Sequence, residues 1–455
     1  MEVLLIAPEP GGTSIQARPP SPPRGLLELA SWLIQNGQEA AVLDGNLCGN
    51  DHILKVIQST SPRIVGISAN AFTYPEGVRI GKEAKRMGSR VVFGGPWATC
   101  RYREIYTRQA GVACDAVVRG TGHLALQSFI IGKKAPNLYD GSSKRSSRES
   151  LRPEFSIIFG ILPWEEYFKA HQISKLPRPP YGHRPWSTVA YIGCPWWAGR
   201  KHPDYKPNPG GRHGPCVFCS IGGTISQTNP SDLWDEIMVA RDSLDIDSVI
   251  DWSDSLTPRY LTEILSNRPK SCDDITWQIY LNAGTVTEEL IPLLRSLRVT
   301  RVFCGFESGS DAMLRTLNKR ENVADNWRAF KLLTDAHIEI EANFVLGAPG
   351  ETRTTLEETV RAAKQLADYK GERLVWCSGS PLQALPGAPI FAKVMRLAGA
   401  TRLRQSDFAN PGDLPYLREV YLRHFCPGTG PDDLRWAMTE LEKHSVLSNV
   451  FGKPL

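Results

Sequence analysis

The sequence lacks any long apolar run, and this absence excludes several classes of protein. No stretch approaches the roughly 20 consecutive apolar residues that a membrane-spanning helix requires. The N-terminal apolar run Val3–Ala7 follows the acidic Glu2 and is too short for the apolar region of a signal peptide. We therefore read it as a β-strand and expect a cytoplasmic protein with no membrane partner.

A strong charge of either sign is also missing. The chain has 53 basic and 48 acidic side chains, which leaves a net charge of only +5. No dense basic stripe stands out, so the sequence does not predict a nucleic-acid partner, although it permits an anionic ligand.

Closely spaced cysteines are few, although the chain has ten cysteines in all. In a reducing cytosol, clustered cysteines are more often metal ligands or catalytic groups than disulfides. Three of the ten cluster: two residues separate Cys216 from Cys219, and 21 residues separate Cys194 from Cys216. Three thiolates suit either zinc or an iron–sulfur cluster. A zinc site needs a fourth ligand, such as His202 or His213, and spacing alone leaves both readings open. The other seven are scattered and are expected to be small buried residues: Cys48, Cys100, Cys114, Cys272, Cys304, Cys377 and Cys426.

The first 130 residues alternate short apolar runs with amphipathic helical stretches. This rhythm predicts an open, doubly wound parallel sheet with helices on both faces, similar to a Rossmann fold. Ligands of such sheets bind beyond the carboxyl ends of the strands, where this chain has loops rich in Gly, Ser, Pro and Asn. The predicted strands are Val3–Ala7, Ala41–Asp44, Ile64–Ala69, Val91–Gly94 and Ala116–Arg119.

The rest of the chain divides into three further regions. We expect the first domain to cover residues 1–135 and residues 136–186 to form a polar linker. From residue 187 to 390 the alternation resumes with six strand–helix units, which are too few for an eight-stranded barrel and predict a partial six-stranded one. Residues 391–455 are expected to be a small helical region. The strands predicted for the barrel are Thr188–Ile192, Ser248–Trp252, Thr276–Leu281, Arg301–Phe306, Ile338–Leu346 and Leu374–Ser378.

Cys216–Cys219 resembles the second half of the radical S-adenosylmethionine (SAM) signature, Cys-x₃-Cys-x₂-Cys, in which an aromatic residue precedes the last cysteine. Phe218 holds that aromatic position. The chain departs from the signature in its first gap, which is 21 residues long, and we expect this insert to form a flap near the site.

Further segments resemble radical SAM enzymes that carry an N-terminal cobalamin-binding domain. Together these matches cover residues 1–130 and 187–390, and a lone zinc site predicts none of them. The matching segments are Leu4–Pro8, Gly25–Ala30, Gly94–Thr99, Arg119–Gly122, Phe303–Asp311, Leu314–Lys319, Phe344–Thr352 and Ser380–Ile390.

The resemblance implies a [4Fe–4S] cluster held by Cys194, Cys216 and Cys219, with one iron left open to SAM. An electron from the cluster then cleaves SAM and releases a 5′-deoxyadenosyl radical. The residues that the resemblance places near SAM are Phe218, Glu307, Ser308, Asn343, Asn282 and Asp254.

The resemblance also implies a cobalamin on the loops of the first domain, with Ser68, Gly94 and Gly95 touching the corrin. The chain has no Asp-x-His-x-x-Gly motif, because the segment Asp44–Gly49 contains no histidine. The alternative is a cobalamin-like domain kept as a scaffold, with Trp97 or Tyr74 filling the space.

Two reactions therefore stay open for a small-molecule substrate, such as a sugar or an antibiotic precursor. With cobalamin bound, the enzyme is expected to methylate a carbon atom. Without it, the enzyme would remove a hydroxyl from a diol, as aminoglycoside-pathway enzymes do, with Glu9, Asp254 or His213 as the candidate acid or base. Either reaction needs an electron donor such as flavodoxin or a reductase. A non-enzymatic zinc protein is the remote third reading.

Overall fold

The computed structural model describes residues 1–10, 19–141, 154–173, 182–199, 214–221, 225–372, 374, 376–400 and 421–446. The chain divides into two compact units, with the division in the described chain between Ala170 and His171. None of the helices in these ranges has the length and apolar content needed to cross a bilayer.

The first unit is built on a six-stranded sheet with the strand order β2-β1-β3-β4-β5-β6. The first five strands are parallel, which confirms the doubly wound fold, and the short β6 pairs antiparallel to β5. The strands are nearly continuous apolar runs because helices cover both faces of the sheet. They are β1 (Val3–Ala7), β2 (Ala40–Asp44), β3 (Ile64–Ser68), β4 (Arg90–Gly94), β5 (Ala116–Val118) and β6 (Leu138–Tyr139).

The helices of this unit connect the parallel strands. The first helix buries Leu26, Leu27, Ala30 and Leu33, whose spacing places them on one helical face. The helices are α1 (Arg24–Gln35), α2 (Gly45–Cys48), α3 (Asn50–Thr60), α4 (Tyr74–Arg86), α5 (Gly95–Gln109), α6 (His123–Ile130), α7 (Phe155–Ile158) and α8 (Trp164–Ile173), the last of which ends just inside the second unit.

The second unit is built on six parallel strands in the order β14-β13-β12-β11-β10-β7. Sequential neighbours in one sheet, each joined by a helix, confirm the partial barrel. A separate pair of short strands, β8 and β9, is antiparallel. The strands are β7 (Pro185–Thr188), β8 (Tyr191–Ile192), β9 (Ser226–Gln227), β10 (Ser248–Asp251), β11 (Thr276–Leu281), β12 (Val299–Glu307), β13 (Glu339–Leu346) and β14 (Trp376–Pro381).

Side-chain caps begin several helices of this unit. Asn229, Thr257, Asn322 and Thr352 each accept a bond from a backbone N–H of the helix that follows, which satisfies a donor at the first turn. The helices are α9 (Pro195–Ala198), α10 (Pro230–Leu244), α11 (Pro258–Ser266), α12 (Leu290–Ser296), α13 (Asp311–Thr316), α14 (Val323–Asp335), α15 (Arg353–Lys370), α16 (Pro389–Ala400) and α17 (Pro431–Glu442).

Two boundaries differ from those expected. The predicted strand Thr188–Ile192 is two elements, because the chain leaves the sheet after β7 and pairs with β9 instead. The first unit also continues to Ala170, so the segment expected to be a linker contributes β6, α7 and α8. Tyr167 and Phe168 of α8 are almost fully buried, and that apolar burial explains why the segment folds.

Candidate functional site

An aromatic layer crosses the interior face of the six-stranded sheet in the second unit. The rings of Tyr280 and Phe303 are stacked with centroids 4.3 Å apart, and Trp252 lies 5.9 Å from Tyr280. Tyr280 and Phe303 are register partners on adjacent strands, and residues two positions further along point the same way. The aromatic layer therefore lies below the carboxyl ends of the strands, and the residues that follow it on the same face lie nearer to those ends.

Polar side chains from different strands follow this layer. The Nδ2 of Asn282 donates to the Oγ of Ser255 at 2.8 Å. On β13, the Oδ1 of Asn343 accepts from the Nε1 of Trp376 at 2.8 Å and the Oγ of Ser378 at 3.1 Å. The sheet thus brings the predicted SAM residues Asn282 and Asn343 to one edge, each held by a neighbouring side chain.

A ladder of side-chain bonds holds the loop before Cys194. The N–H of Ala190 donates to the Oδ1 of Asp251 at 3.2 Å, and the N–H of Tyr191 donates to the Oγ of Ser253 at 2.7 Å. The N–H of Gly193 donates to the Oδ2 of Asp254 at 2.6 Å. These acceptors continue the pairing of β7 and β10 beyond the strand ends, and they fix the backbone on which Cys194 sits. Asp254, a predicted SAM ligand and acid–base candidate, thus contacts this loop.

The loop that carries the other two cysteines is held by different elements. The N–H of Val217 donates to the carbonyl of Leu317 at 2.9 Å, and the carbonyl of Val217 accepts from the N–H of Ile390 at 2.9 Å. The Nδ2 of Asn318 donates to the carbonyls of Gly214 and Pro215 at 3.1 and 2.8 Å. Phe218, the residue predicted to lie against adenine, is half-buried in the turn between the two cysteines.

The three cysteine thiols lie near enough to interact electrostatically. Burial raises the pKa of Cys216 to about 12, and Cys219 and Cys194 add to the shift while Lys319 opposes it. Burial likewise raises the pKa of Cys219 to about 11, with a further contribution from Cys194. Burial raises the pKa of Cys194 too, against the N–H groups of Trp196 and Trp197 that point at its sulfur. The thiolate forms therefore need a positively charged group among them.

Within the described ranges, no three His, Cys, Asp or Glu side chains converge closely enough, as they stand, to hold a metal ion, and this includes the three cysteines. His202 and His213, the candidate fourth zinc ligands, lie outside the described residues, so the position of His213 as an acid or base is not described either.

A buried ionic group, Glu307–Lys319–Glu321, lies beside the thiols. The Nζ of Lys319 is 3.1 Å from the Oε1 of Glu307 and 3.4 Å from the Oε2 of Glu321. Burial alone would lower the pKa of Lys319, but the two carboxylates outweigh it and raise the pKa well above its usual value. Gly305 makes room for the group, because a Cβ there would lie 2.2 Å from a Glu307 oxygen.

The sequence does not predict this group. Lys319 follows a short amphipathic helix, and this position in the sequence predicts a solvated side chain. That prediction is wrong, because Lys319 is only 6% exposed. The same prediction of a solvated side chain holds for Arg315, which is exposed. The nearby indole of Trp196 is buried under the cations of Lys319 and Arg320, at 5.9 and 5.4 Å, so it packs within the protein.

The two consecutive SAM candidates at the end of β12 face different partners. Glu307 has a left-handed backbone, with φ of 61°, which a non-glycine residue adopts at a cost. Its carboxylate reaches Lys319 as described. The buried Ser308 instead shares a hydrogen bond with the Oγ1 of Thr359 at 3.1 Å and accepts from the N–H of Ser310. Ser308 thus stabilises the turn that carries Glu307.

The first unit has an apolar cavity of about 260 Å³ beyond the carboxyl ends of its strands. The predicted cobalamin residues Ser68, Gly94 and Gly95 all line it. Gly95 has φ of 90°, and a Cβ there would lie 2.7 Å from the carbonyl of Ala69, so only glycine fits.

The residues considered as fillers of this space do not occupy it. Trp97 and Tyr74 pack on each other, with centroids 6.1 Å apart, and neither lines the cavity. Asp44, in the segment without the histidine motif, accepts from the hydroxyl of Tyr167 at 2.7 Å. Glu9, an acid–base candidate, forms a clamp with Asn50: its N–H donates to the amide oxygen, and its carboxylate accepts from the Asn50 N–H.

Comparison with known proteins identifies a known type of domain in each half of the chain. Residues 14–130 match the family model of the B12 binding domain, and residues 205–363 match that of the radical SAM superfamily. The second range begins after Cys194, which is the cysteine that departs from the usual spacing. The chain is 24% identical over 387 residues to an uncharacterized methyltransferase of Pyrococcus horikoshii, covering 81% of this chain and 79% of the relative. It is 25% identical over 415 residues to the anaerobic magnesium-protoporphyrin IX monomethyl ester cyclase of Rubrivivax gelatinosus, covering 84% and 68%.

Solved structures share the fold. One is the radical SAM methyltransferase TsrM from Kitasatospora setae, with cobalamin and a [4Fe–4S] cluster bound. It aligns with a TM-score of 0.69 at 16% identity, and the alignment covers 99% of this chain and 94% of the TsrM chain. The cobalamin-dependent radical SAM enzyme OxsB, with aqua-cobalamin and SAM bound, has a TM-score of 0.62 at 13% identity and covers 89% and 62%.

Proposed function

Since this chain joins a B12-binding domain to a radical SAM domain, we propose that it is a cobalamin-dependent radical SAM methyltransferase acting on a small molecule. The observation that carries the proposal is the pairing of two prepared sites in one chain: three interacting thiols in one unit and a glycine-lined cavity in the other. The cavity favours methylation over a cobalamin-free dehydration, because it leaves space where a scaffold domain would be filled.

The chain's own residues divide into ligands and supports. Cys194, Cys216 and Cys219 would hold the cluster, and Ser68, Gly94 and Gly95 would contact cobalamin. When bound, the cluster supplies the electron that cleaves SAM to a 5′-deoxyadenosyl radical, and cobalamin supplies the methyl group. Phe218, Glu307, Asn282, Asn343 and Asp254 would surround SAM, with Ser308 supporting the turn beneath Glu307.

The charges around the thiols suit an anionic cluster. Lys319 and Arg320 both lower the pKa of Cys194, so they stabilise its thiolate. Asp254, which follows β10, has the opposite effect and raises the pKa of Cys219. An ammonium such as Lys319, held in place by two carboxylates, keeps its charge at every physiological pH.

The test is anaerobic reconstitution of the full chain with iron, sulfide and hydroxocobalamin. We expect about four irons per chain, as a [4Fe–4S] cluster requires, retained corrin absorption bands, and 5′-deoxyadenosine on reduction with dithionite and SAM. Cys194→Ala, Cys216→Ala and Cys219→Ala should each abolish the brown chromophore. Tightly bound zinc without a chromophore would overturn the proposal.

The reaction itself needs a separate readout. With methyl-labelled SAM and candidate substrates, label transferred to a carbon atom supports methylation. An unlabelled product that has lost a hydroxyl group, formed without corrin bands, would instead establish the dehydration. Flavodoxin with its reductase, in place of dithionite, tests the expected electron donor.

A further inference from the structure

The turn that follows α13 contacts both ends of the 21-residue insert between the first two cysteines. The backbone of this turn, Leu317–Arg320, is fixed to the helix: the N–H of Asn318 donates to the carbonyl of Arg315 at 3.1 Å, and that of Lys319 donates to the carbonyl of Leu314 at 2.9 Å. Asn318 has a left-handed backbone, with φ of 58°, which asparagine tolerates better than most residues. The turn is therefore held in a defined conformation at the end of α13.

Two side chains of this turn hold the end of the insert that precedes Cys216. The Nδ2 of Asn318 donates to the carbonyls of Gly214 and Pro215 at 3.1 and 2.8 Å. The Nη2 of Arg320 donates to the same carbonyl of Gly214 at 3.0 Å. Both side chains are buried, so little water competes for these bonds. The backbone directly before Cys216 is therefore restrained by the turn.

Arg320 also contacts the end of the insert that follows Cys194. Its guanidinium carbon lies 5.4 Å from the ring centroid of the buried Trp196, within the range of a cation–π interaction. Trp196 lies in α9, and the carbonyl of Cys194 accepts from the N–H groups of Trp197 and Ala198, each at 3.0 Å. Cys194 and the indole thus belong to one helical turn. A contact with the indole therefore restrains the position of Cys194 as well.

The length of the insert gives these two contacts of Arg320 a purpose. The entropy cost of bringing two points of a chain together rises with the number of residues between them. That number is larger between Cys194 and Cys216 than in the usual Cys-x₃-Cys-x₂-Cys signature. A guanidinium suits both contacts, because its edge carries several donors while its face stacks on an aromatic ring. One side chain that binds both ends of the insert offsets part of this cost.

We propose that Arg320, supported by Asn318, joins the segment of Cys194 to the loop of Cys216 and Cys219 across the insert. This inference rests on the proposed function, in which the three thiols hold one cluster. Arg320 acts through the backbone of both segments and is therefore a positioning residue. Its charge acts in the same direction, since Arg320 and Lys319 both lower the pKa of Cys194.

The test measures thiol proximity in the full-length apoprotein with dibromobimane, which becomes fluorescent when it bridges two thiols. Cys219→Ala leaves Cys194 and Cys216 to be bridged, whereas Cys194→Ala leaves the pair Cys216 and Cys219 within one loop. Adding Arg320→Met should lower the yield of the first bridge about tenfold, because a charged hydrogen bond is lost, and leave the second unchanged. Peptide mass spectrometry assigns each bridge. Labelling with monobromobimane, which needs a single thiol, corrects for a change in the reactivity of Cys194.

Two further variants complete the test. Arg315→Met is the matched control, because Arg315 is exposed on α13, and it should leave both bridges unchanged. Asn318→Gly keeps the left-handed backbone and removes the bonds to Gly214 and Pro215, so it should lower the yield of the first bridge about fivefold. Where Arg320→Met does not fold, Asn318→Gly decides in its place.

Three outcomes would overturn the inference: an unchanged first bridge in the deciding variant, an equal loss of both bridges, or no first bridge in Cys219→Ala itself. The measurement needs no iron, so each of these outcomes leaves the proposed function standing. Failure of the wild-type chain to assemble a cluster, with a first bridge that depends on Arg320, would instead refute the proposed function and leave the contact between the two segments in place.

Discussion

At the scale of single residues, a direct prediction concerns Lys319, whose ammonium interacts with two buried carboxylates. Lys319→Met would leave Glu307 and Glu321 buried without their cation. Breaking a buried ion pair in this way costs about 3–5 kcal/mol. Urea unfolding of the apoprotein should show this loss.

The matched control lies on the preceding helix. Arg315 is exposed, so Arg315→Met should change the free energy of unfolding by no more than about 0.5 kcal/mol. Equal effects of the two substitutions would contradict the assignment of Lys319 to a buried ionic group.

Asp251 is a second buried charge, and its effect depends on pH. Burial raises its pKa to about 6, and its Oδ1 already accepts from Ala190 and Ser253. Between about pH 4 and pH 6 the folded chain therefore holds a proton that the unfolded chain has lost. The stability that this proton contributes is lost as the pH rises through that window.

Asp251→Asn keeps the Oδ1 acceptor and removes the charge. The free energy of unfolding of this variant minus that of the wild type should be about 1–2 kcal/mol larger at pH 8 than at pH 5, so the variant gains relative stability as the pH rises. Asp245→Asn is the control, because Asp245 is an exposed helix C-cap and should show no such change. A flat difference for Asp251→Asn would show that its carboxyl is not perturbed by burial.

These residues also show the limit of sequence reasoning at this scale. Cys216 and Cys219 could be selected as candidate ligands because they are close in sequence and cysteine chemistry is specific, and their role stays a prediction. The burial of Lys319 could not be predicted, because a lysine after a short helix gives no sign of it. Its partners Glu307 and Gly305 meet it only when β12 and the loop after α13 fold together.

At the scale of elements, we propose that the hydrogen-bond ladder between the end of β10 and the loop before Cys194 takes over the positioning that a short cysteine spacing provides in the usual signature. In the usual signature the chain itself holds the first cysteine near the others. Here 21 residues intervene, and the bonds from Asp251, Ser253 and Asp254 hold that loop instead.

Asp254→Ala should therefore weaken the cluster without removing a ligand. Losing the acceptor of the Gly193 N–H costs about 1.4 kcal/mol, so iron loss to a chelator should be about tenfold faster. Asp254→Asn retains an acceptor and should release iron at nearly the wild-type rate. The measurement is the decay of the chromophore under anaerobic conditions without SAM. Identical decay in all three proteins would mean that the bond does not position Cys194.

Element types were predictable from periodicity, whereas some boundaries were not. The apolar runs of β1, β3 and β11 are unambiguous and were correctly identified. The predicted strand at 188–192 was instead divided, because backbone pairing with β9 draws Tyr191 and Ile192 away from the sheet. That pairing joins residues on either side of the insert, and no local pattern reveals it. The two-residue strand β6 was missed for a similar reason, since its length is too short for any alternation to show.

At the scale of the whole molecule, the two compact units make two properties separable. In the proposed function, cluster assembly depends on residues of the second unit, and cobalamin retention depends on the cavity of the first. A substitution in the cavity should therefore remove cobalamin while iron content stays unchanged.

Gly94→Leu is the sharpest such change. Gly94 lines the cavity, its φ is not left-handed, and a Cβ there meets only the Cβ of Val118 at 4.0 Å. The larger side chain should reduce the cavity without strain and lower cobalamin retention at least tenfold, because the volume that receives the ligand is lost. Gly160→Leu is the matched control, because Gly160 lies outside the cavity and a Cβ there meets only the carbonyl of Ile157 at 3.6 Å.

Corrin absorption, iron content and 5′-deoxyadenosine formation are measured together on each protein. Full corrin retention in Gly94→Leu would show that cobalamin does not use this cavity, whereas loss of iron together with corrin would show that the two units do not hold their cofactors independently.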